Sequence, residues 1–423
     1  MSLSELAVDD LRCIERAELL LHPGQNLIWG GNGSGKTSLL ESIFLLGRGR
    51  SFRTRNSERL IRYGKDRLVV FGRSTGPGGA TGWGSARSHN TPQHAGPVEG
   101  FGGDGIDRGA GFQVPVAESG AASNVSEETR SAEVRDGTSL SYPRDPLALS
   151  HALGVQVSRA DGTMARIDGT AAASLTELTQ IFPVQIIDPG VHKLVEEGGH
   201  RRRRWMDWAV FHVEHQFGEW WVRYTRALKQ RNAALRTQPS QAGVWDGELV
   251  RLGELIAQAR RRFVEGLLPY WRDSVVALSG LEPELHYFRG WAQDVSLADA
   301  LAASRPRDEE KRMTHPGPHR ADVVIRINGR PAREVLSRGQ QKLVAVAMTL
   351  AQLNLLQEAT QTTSTLLLDD PAAELDGDHL RRFIEQVMRL KSQLVLTSLH
   401  PESLLFGTPD RVFHVEQGSV QSV

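Results

Sequence analysis

Residues Gly30-Gly31-Asn32-Gly33-Ser34-Gly35-Lys36-Thr37 follow the spacing G-x-x-x-x-G-K-[ST]. Glycines let backbone amides turn inward and approach an anion closely, and a helix beginning at Lys36 points its positive end at the same place. Lys36 can bridge the β- and γ-phosphate oxygens of a nucleotide, and the Thr37 hydroxyl suits a Mg²⁺ ligand. With this content of Gly, Lys and Ser/Thr, an accidental match is on the order of one in a hundred. The loop is read as a phosphate site.

Two further groups gain meaning from it. Leu366-Leu367-Leu368-Asp369-Asp370 is an apolar run ending in carboxylates. A buried strand there delivers Asp369 to the Mg²⁺ shell opposite Thr37, and puts Asp370 where a base orients water or accepts its proton. Taken alone, the same run is also what an ordinary strand end looks like. Ser337-Arg338-Gly339-Gln340 precedes an apolar helical pattern, so it forms an anion-binding helix start or a plain serine N-cap.

These groups need elements to hold them. Asn26 to Trp29 reads as a short strand, and a helix from Lys36 carries Leu39, Leu40, Ile43, Phe44 and Leu46. Apolar stretches at Leu6–Ile14 and Ala17–Leu21 precede them. Residues 74–145 are crowded with Gly, Ser, Pro and Asp without apolar period, which predicts a flexible insertion, a folded Gly-rich loop being the alternative. Leu153–Val157 and Met164–Ile167 read as a hairpin, and Val184–Ile187 as a strand. From Arg201 to about Ala303 the chain reads as helical, with a seam at Leu249, Leu252, Ile256, Ala259 and Phe263. Seven tryptophans lie in this region, as core at helical spacing or as base-stacking groups. From about Gly317 the pattern is α/β again, with strands at Val323–Ile327, Leu366–Asp369 and Leu394–Ser398 and a helix over Gln340–Leu356.

The order of phosphate loop, long gap, Ser-Gly-Gln helix start, Asp369-Asp370 and Glu374-Leu375-Asp376 resembles the ATP-binding-cassette head shared by ABC and SMC-type ATPases. Within that class the chain resembles the RecF family. The matching stretches are Gly33 to Glu41, Gly49 to Thr54, Arg202 to Asp207, Gly317 to Asp322, Leu336 to Gln340 and Asp369 to Asp376. The resemblance implies an α/β fold: an ABC/SMC-type P-loop ATPase head split in sequence into 1–197 and 314–423, with a helical arm domain, 198–313, inserted between. It implies ATP and Mg²⁺ as cofactors, with Ser38 and Gln340 joining the nucleotide site. It also implies an ATP-dependent homodimer in which Ser337, Arg338 and Gly339 of one copy cap the γ-phosphate held by Lys36 of the other. The activity implied is weak, DNA-stimulated ATP hydrolysis, working as a switch. The partners implied are DNA with single-stranded gaps or duplex junctions, RecO and RecR, and indirectly RecA, in repair, replication restart and the SOS response. Two features depart from the wider class. Asp370 stands where many relatives carry Glu, one methylene longer, which predicts slow hydrolysis. After Leu394–Thr397 no clear switch histidine follows; His400 is close, but Pro401 comes next.

Arg48, Arg50, Arg53 and Arg55 follow the loop helix and are candidate DNA contacts or a solvated basic face. Arg201 to Arg204 pose the same choice; Arg260 to Arg262 lie on a helix whose seam is Ile256, Ala259 and Phe263, so at least two of them face outward, as surface rather than contact. His212 and His215 are too few for a metal site, and His319 is a turn residue or a functional one. Basic and acidic residues number 50 each, so DNA binding must rest on patches rather than on net charge. No apolar run approaches the roughly 18 residues of a membrane span, no signal-like N-terminus is present, and Cys13 is the only cysteine. A cytoplasmic protein without disulfides is expected. The 300 positions between Thr37 and Ser337 argue against a transporter subunit. An arm of this length reaches only about 50–75 Å when folded back, too short for a chromosome-scale coiled coil. A DNA-binding module whose ATP site only orders the fold, without a hydrolytic switch, remains as the alternative, as does another SMC-like ATPase.

Overall fold

The computed structural model describes residues 1–76, 149–172, 174–372, 375–401 and 406–423. The segment predicted as a flexible insertion lies outside them, except for its first residues. Ser74 to Gly76 belong to a strand, because each pairs across to the 149–151 stretch, so these three residues are not part of a flexible segment.

Strands β1 (Ser2–Leu11), β2 (Ile14–Leu20), β4 (Arg67–Gly76), β5 (Leu149–Ser158), β6 (Gly162–Ile167) and β7 (Thr170–Ala171) form one antiparallel sheet in the order β2-β1-β4-β5-β6-β7. In β1 the buried Leu3, Leu6, Val8 and Leu11 interrupt polar residues, as a strand with one covered face requires. A second sheet has the order β15-β14-β3-β13-β12-β8, from β3 (Gln25–Trp29), β8 (Val184–Ile187), β12 (Thr365–Leu368), β13 (Gln393–Ser398), β14 (Arg411–Glu416) and β15 (Ser419–Ser422). It is parallel except for β15.

Helix α1 (Lys36–Arg48) packs between these sheets. Leu39, Leu40, Ile43 and Leu45 share a core with Leu3 and Val8 on one side and with Ile28, Leu367 and Val395 on the other. Alternate residues of the same parallel strands, Leu27, Leu366, Leu368 and Leu394, face a second core on the opposite side of the sheet. Continuous apolar strands buried on both faces are what a parallel sheet demands. Short helices α2 (Leu175–Ile181) and α3 (Lys193–Glu196) flank β8.

The second core joins the arm to the C-terminal part. Its helices are α4 (Gly199–Val213), α5 (Phe217–Thr237), α6 (Asp246–Ser279), α7 (Leu297–Lys311), α8 (Ala332–Val335), α9 (Arg338–Thr360) and α10 (Gly377–Arg389). The expected seam on α6 is buried at every position. Trp205, Trp208, Trp271 and Trp291 are core residues, and Trp220, Trp221 and Trp245 pack against the cores, so their spacing reports packing rather than stacking on bases.

The region from Arg201 to Ala303 is not wholly helical. Strand β9 (Glu284–Phe288) pairs with β10 (Asp322–Ile327), which pairs with β11 (Arg330–Pro331). Gly280, in the left-handed conformation, and then Pro283 end α6 and release the chain into that strand.

Two basic runs include arginines that serve the fold. Arg260 is fully buried, its guanidinium paired with Asp207 at 2.7 and 2.9 Å and donating to the Pro318 carbonyl. Only Arg261 and Arg262 of that run face outward. Arg202 makes a two-pronged contact with Asp322, and Arg203 donates to the Ala321 carbonyl, so this basic run fastens α4 to β10.

Candidate nucleotide site

The carboxyl ends of the parallel strands converge, the usual place for a ligand in such a sheet. Gly30 leaves β3 with its N–H on the Ser398 carbonyl, and Asp369 leaves β12 with its N–H on the Ile187 carbonyl of β8. A side chain at Gly30 would place its Cβ 2.2 Å from the Val415 carbonyl, so only glycine fits where the loop turns. Gly35 caps α1 without any side-chain hydrogen bond, and the first turn carries no acid, so its amides keep their full pull on an anion.

Lys36 folds over the loop, with Nζ donating to the Gly30 and Gly31 carbonyls at 2.7 and 2.8 Å. Its ammonium is lowered in pKa by burial, opposed by the carboxylates of Asp370 and Asp369. Thr37 Oγ1 lies 3.0 and 3.1 Å from the two Asp369 oxygens. The two groups expected to share Mg²⁺ are thus side by side, although 332 positions separate them in sequence. The buried Ser34 hydroxyl, inside the cradle, has no hydrogen-bond partner among the described residues. That orphaned hydroxyl, the uncapped helix and the adjoining Thr37 and Asp369 fit a nucleotide phosphate with its divalent cation.

Asp370 is held in the left-handed region at φ 48°, and its N–H donates to Thr397 Oγ1 at 2.9 Å. The Thr397 hydroxyl also lies 3.0 Å from Asp369 Oδ1. A non-glycine residue in this conformation carries strain, which persists where neighbours over-determine it. Asp188, next along β8, stands beside Asp369 through the parallel register; burial and the Asp369 carboxylate raise its pKa.

Thr397, Glu41 and Asp188 were not singled out from sequence. Glu41 of α1 is fully buried and pairs with Arg12, in the turn between β1 and β2, and with Arg53, while Ser51 donates to it. It fixes the 51–53 loop to the phosphate-loop helix.

Ser337 to Gln340 are exposed at the start of α9. Ser337 Oγ accepts from the Gln340 N–H while Gln340 Oε1 accepts from the Ser337 N–H, a reciprocal cap. Arg338 is 82% exposed, 3.9 Å from Glu196. Asn32 and Gly33 are exposed at the rim of the loop, whereas Ser38 is buried behind it.

Among the arginines after α1, Arg53 and Arg55 are exposed. Arg48 turns inward, lying 4.6 Å from the Trp208 ring centre and donating to Gln185. This packing takes Arg48 out of the DNA-facing set. Arg50 is half-buried beside Arg204; burial, then that neighbouring cation, lowers its pKa to about 10. His319 bonds Tyr224 at 2.7 Å and the Thr314 carbonyl at 3.2 Å. Burial lowers its pKa to about 4, so it is a neutral packing residue. His400 is exposed, with its N–H on Ser398 Oγ. Glu374 lies outside the described residues. Among those residues no cluster of His, Cys, Asp and Glu forms a further metal site.

Comparisons with known proteins show the family. A family model for the RecF/RecN/SMC N-terminal domain matches residues 2–74 and 137–421. The DNA replication and repair protein RecF of Shewanella sp. (strain MR-4) is 32% identical over 426 residues, covering 99% of each chain. That of Pseudomonas paraeruginosa (strain DSM 24068 / PA7) is 34% identical over 428 residues, covering 99% of this chain and 97% of its own. In fold, the chain matches the ATP-bound recombination mediator protein RecF of the RecFOR pathway with a TM-score of 0.76 at 21% identity, covering 100% of this chain and 97% of the other. A Smc head bound to the C-terminal winged-helix domain of ScpA matches with a TM-score of 0.52 at 13% identity, covering 100% and 97%. The expected α/β ATPase-head fold is the fold these matches share.

Proposed function

The chain belongs to the RecF family, and from that premise we propose that it is an ATP-dependent DNA-binding protein of replication and recombinational repair, two copies of which close on ATP to clamp gapped or junction DNA. One observation carries the reading: the phosphate loop has Thr37 and Asp369 side by side, while the Ser337–Gln340 helix start stands exposed. An exposed anion-binding helix start is what a second copy's γ-phosphate needs.

In this reading Lys36 leaves the Gly30 and Gly31 carbonyls for the β- and γ-phosphate oxygens of ATP. Thr37 and Asp369 hold Mg²⁺, which when bound neutralises the phosphate charge and orients the oxygens for in-line attack. Asp370, fixed by Thr397, accepts the proton of the attacking water. Its short side chain suits slow, DNA-stimulated turnover, a timed release rather than a motor stroke. Arg53 and Arg55, with Arg50 behind them, supply phosphate contacts to DNA. Their loop also carries Arg59 and the fully exposed ring of Tyr63. Closing on DNA marks the site for RecO and RecR and so helps load RecA, supporting replication restart and the SOS response. Action in the cytoplasm fits this reading, and no helix among the described residues is long and apolar enough to cross a membrane.

The test is retention on a gapped duplex with ATP and with ADP, beside the turnover rate with and without that DNA. Tighter binding with ATP and faster turnover with DNA are expected. Equal binding in both nucleotides would favour the alternative, a DNA-binding module that ATP merely orders.

A further inference from the structure

The phosphate loop leans on the far end of the chain. Strands β14 and β15 are joined by Gln417 and Gly418, both left-handed at φ 48° and 82°, with Glu416 paired to Ser419 across the turn. Two consecutive residues of that kind make the tight hairpin turn whose twist matches its strands. The Gly418 N–H donates to the Ser34 carbonyl at 2.8 Å.

Three close approaches surround this bond. A Cβ on Gly418 would lie 2.2 Å from the Cys13 carbonyl oxygen, in the turn between β1 and β2. A Cβ on Gly35 would lie 3.2 Å from Cys13 Sγ and 3.5 Å from a Val415 methyl. One on Gly30 would meet the Val415 carbonyl. The loop is therefore gripped between the C-terminal hairpin and the first β-turn, at Gly30, Ser34 and Gly35.

The grip has a chemical consequence. In a trans peptide the C=O and the following N–H point in opposite directions. Holding the Ser34 carbonyl against the hairpin turns the Gly35 N–H away from the hairpin.

We propose that Gly418 is a positioning residue for nucleotide binding: its N–H sets the Ser34–Gly35 peptide so that the Gly35 amide faces the phosphates. This inference rests on the reading of the loop as an ATP site. It concerns affinity, not the chemical step, because the hairpin meets the loop at Gly30, Ser34 and Gly35.

Gly418→Ala is the direct perturbation, since the added methyl cannot share space with the Cys13 carbonyl. Its KM for ATP should rise about tenfold, the worth of one misdirected amide, with kcat kept within about twofold. The thermal midpoint without nucleotide reports folding separately. Lys36→Met is the control for the site itself: if wild type and Lys36→Met take up a fluorescent ATP analogue alike, the ATP reading fails. If wild type binds, Lys36→Met does not, and folded Gly418→Ala binds as wild type does, the positioning inference fails alone. A second measurement does not depend on Gly418→Ala. Cys13 is the only cysteine and is exposed, so a thiol reagent reports on that turn alone. Saturating ATP should tighten loop, hairpin and turn together and slow labelling several-fold in wild type and not in Lys36→Met. Unchanged labelling in wild type that binds ATP overturns the proposal.

Discussion

Replacing Arg260 with Met should destabilise the fold where α6 meets α4 and the Pro318 turn. Arg260 is fully buried and makes three contacts: two with the Asp207 carboxylate at 2.7 and 2.9 Å, and one with the Pro318 carbonyl at 2.6 Å. Its guanidinium also lies 4.9 Å from the Trp221 ring centre. Met conserves much of the stem, so the lost packing is small. What remains is a carboxylate 6% exposed that has lost its hydrogen-bonded counter-ion and keeps only the more distant charge of Arg203, and breaking a buried pair in this way costs about 3–5 kcal/mol. For a chain of this size that lowers the thermal midpoint by on the order of 5 °C. The deficit depends on pH. Burial raises the Asp207 pKa even with Arg260 beside it, and removing Arg260 raises it further. A group whose folded pKa lies above its unfolded value stabilises the fold at low pH and loses that contribution as pH rises through the folded value. The variant should be weakest at neutral pH and recover toward about pH 5. Adding Asp207→Asn should restore most of the loss, because a buried amide costs far less than a buried charge. Urea unfolding followed by tryptophan fluorescence measures all three proteins. A loss under about 1 kcal/mol, or a double variant no better than Arg260→Met at neutral pH, would refute the reasoning.

Asp370→Asn should keep ATP bound, accumulate dimer and slow turnover by about a hundredfold or more, as loss of a general base does; an unchanged turnover rate removes that role from Asp370. Arg53→Ala with Arg55→Ala should leave ATP affinity intact and reduce the slope of log affinity against log salt by about 1.4–1.8, two phosphate contacts' worth. A wild-type slope would mean that DNA lies elsewhere.

What the sequence made legible was local. The phosphate loop is eight consecutive residues whose types declare their task, and the apolar run before Asp369 places its own strand. Thr397 was hidden because its role exists only when β13 lies beside β12, and a threonine ending a strand has no signature of its own. Gly418 and Cys13 were hidden for the same reason, being joined to the loop through tertiary pairing. Arg260 was partly legible. Seam spacings of three and four after Ile256 admit either 259 or 260 as the inward position, and the two residues share it. Its burial needs Asp207, from another helix, and a charge count along α6 cannot supply that partner. Strand β9 was announced by Gly280 and Pro283 but overshadowed by long helices on either side. Ser337 looked like a cap and like an anion site, and the capping box shows that the first description holds within one chain.

The second description requires a second chain, and sedimentation tests it most directly. Wild type, Lys36→Met and Ser337→Arg are compared with ATP and with ADP, each with and without a gapped duplex. The account predicts a dimer with ATP, alone or on DNA, that both variants abolish and ADP does not support. A wild type that stays monomeric and binds DNA equally in both nucleotides would contradict it.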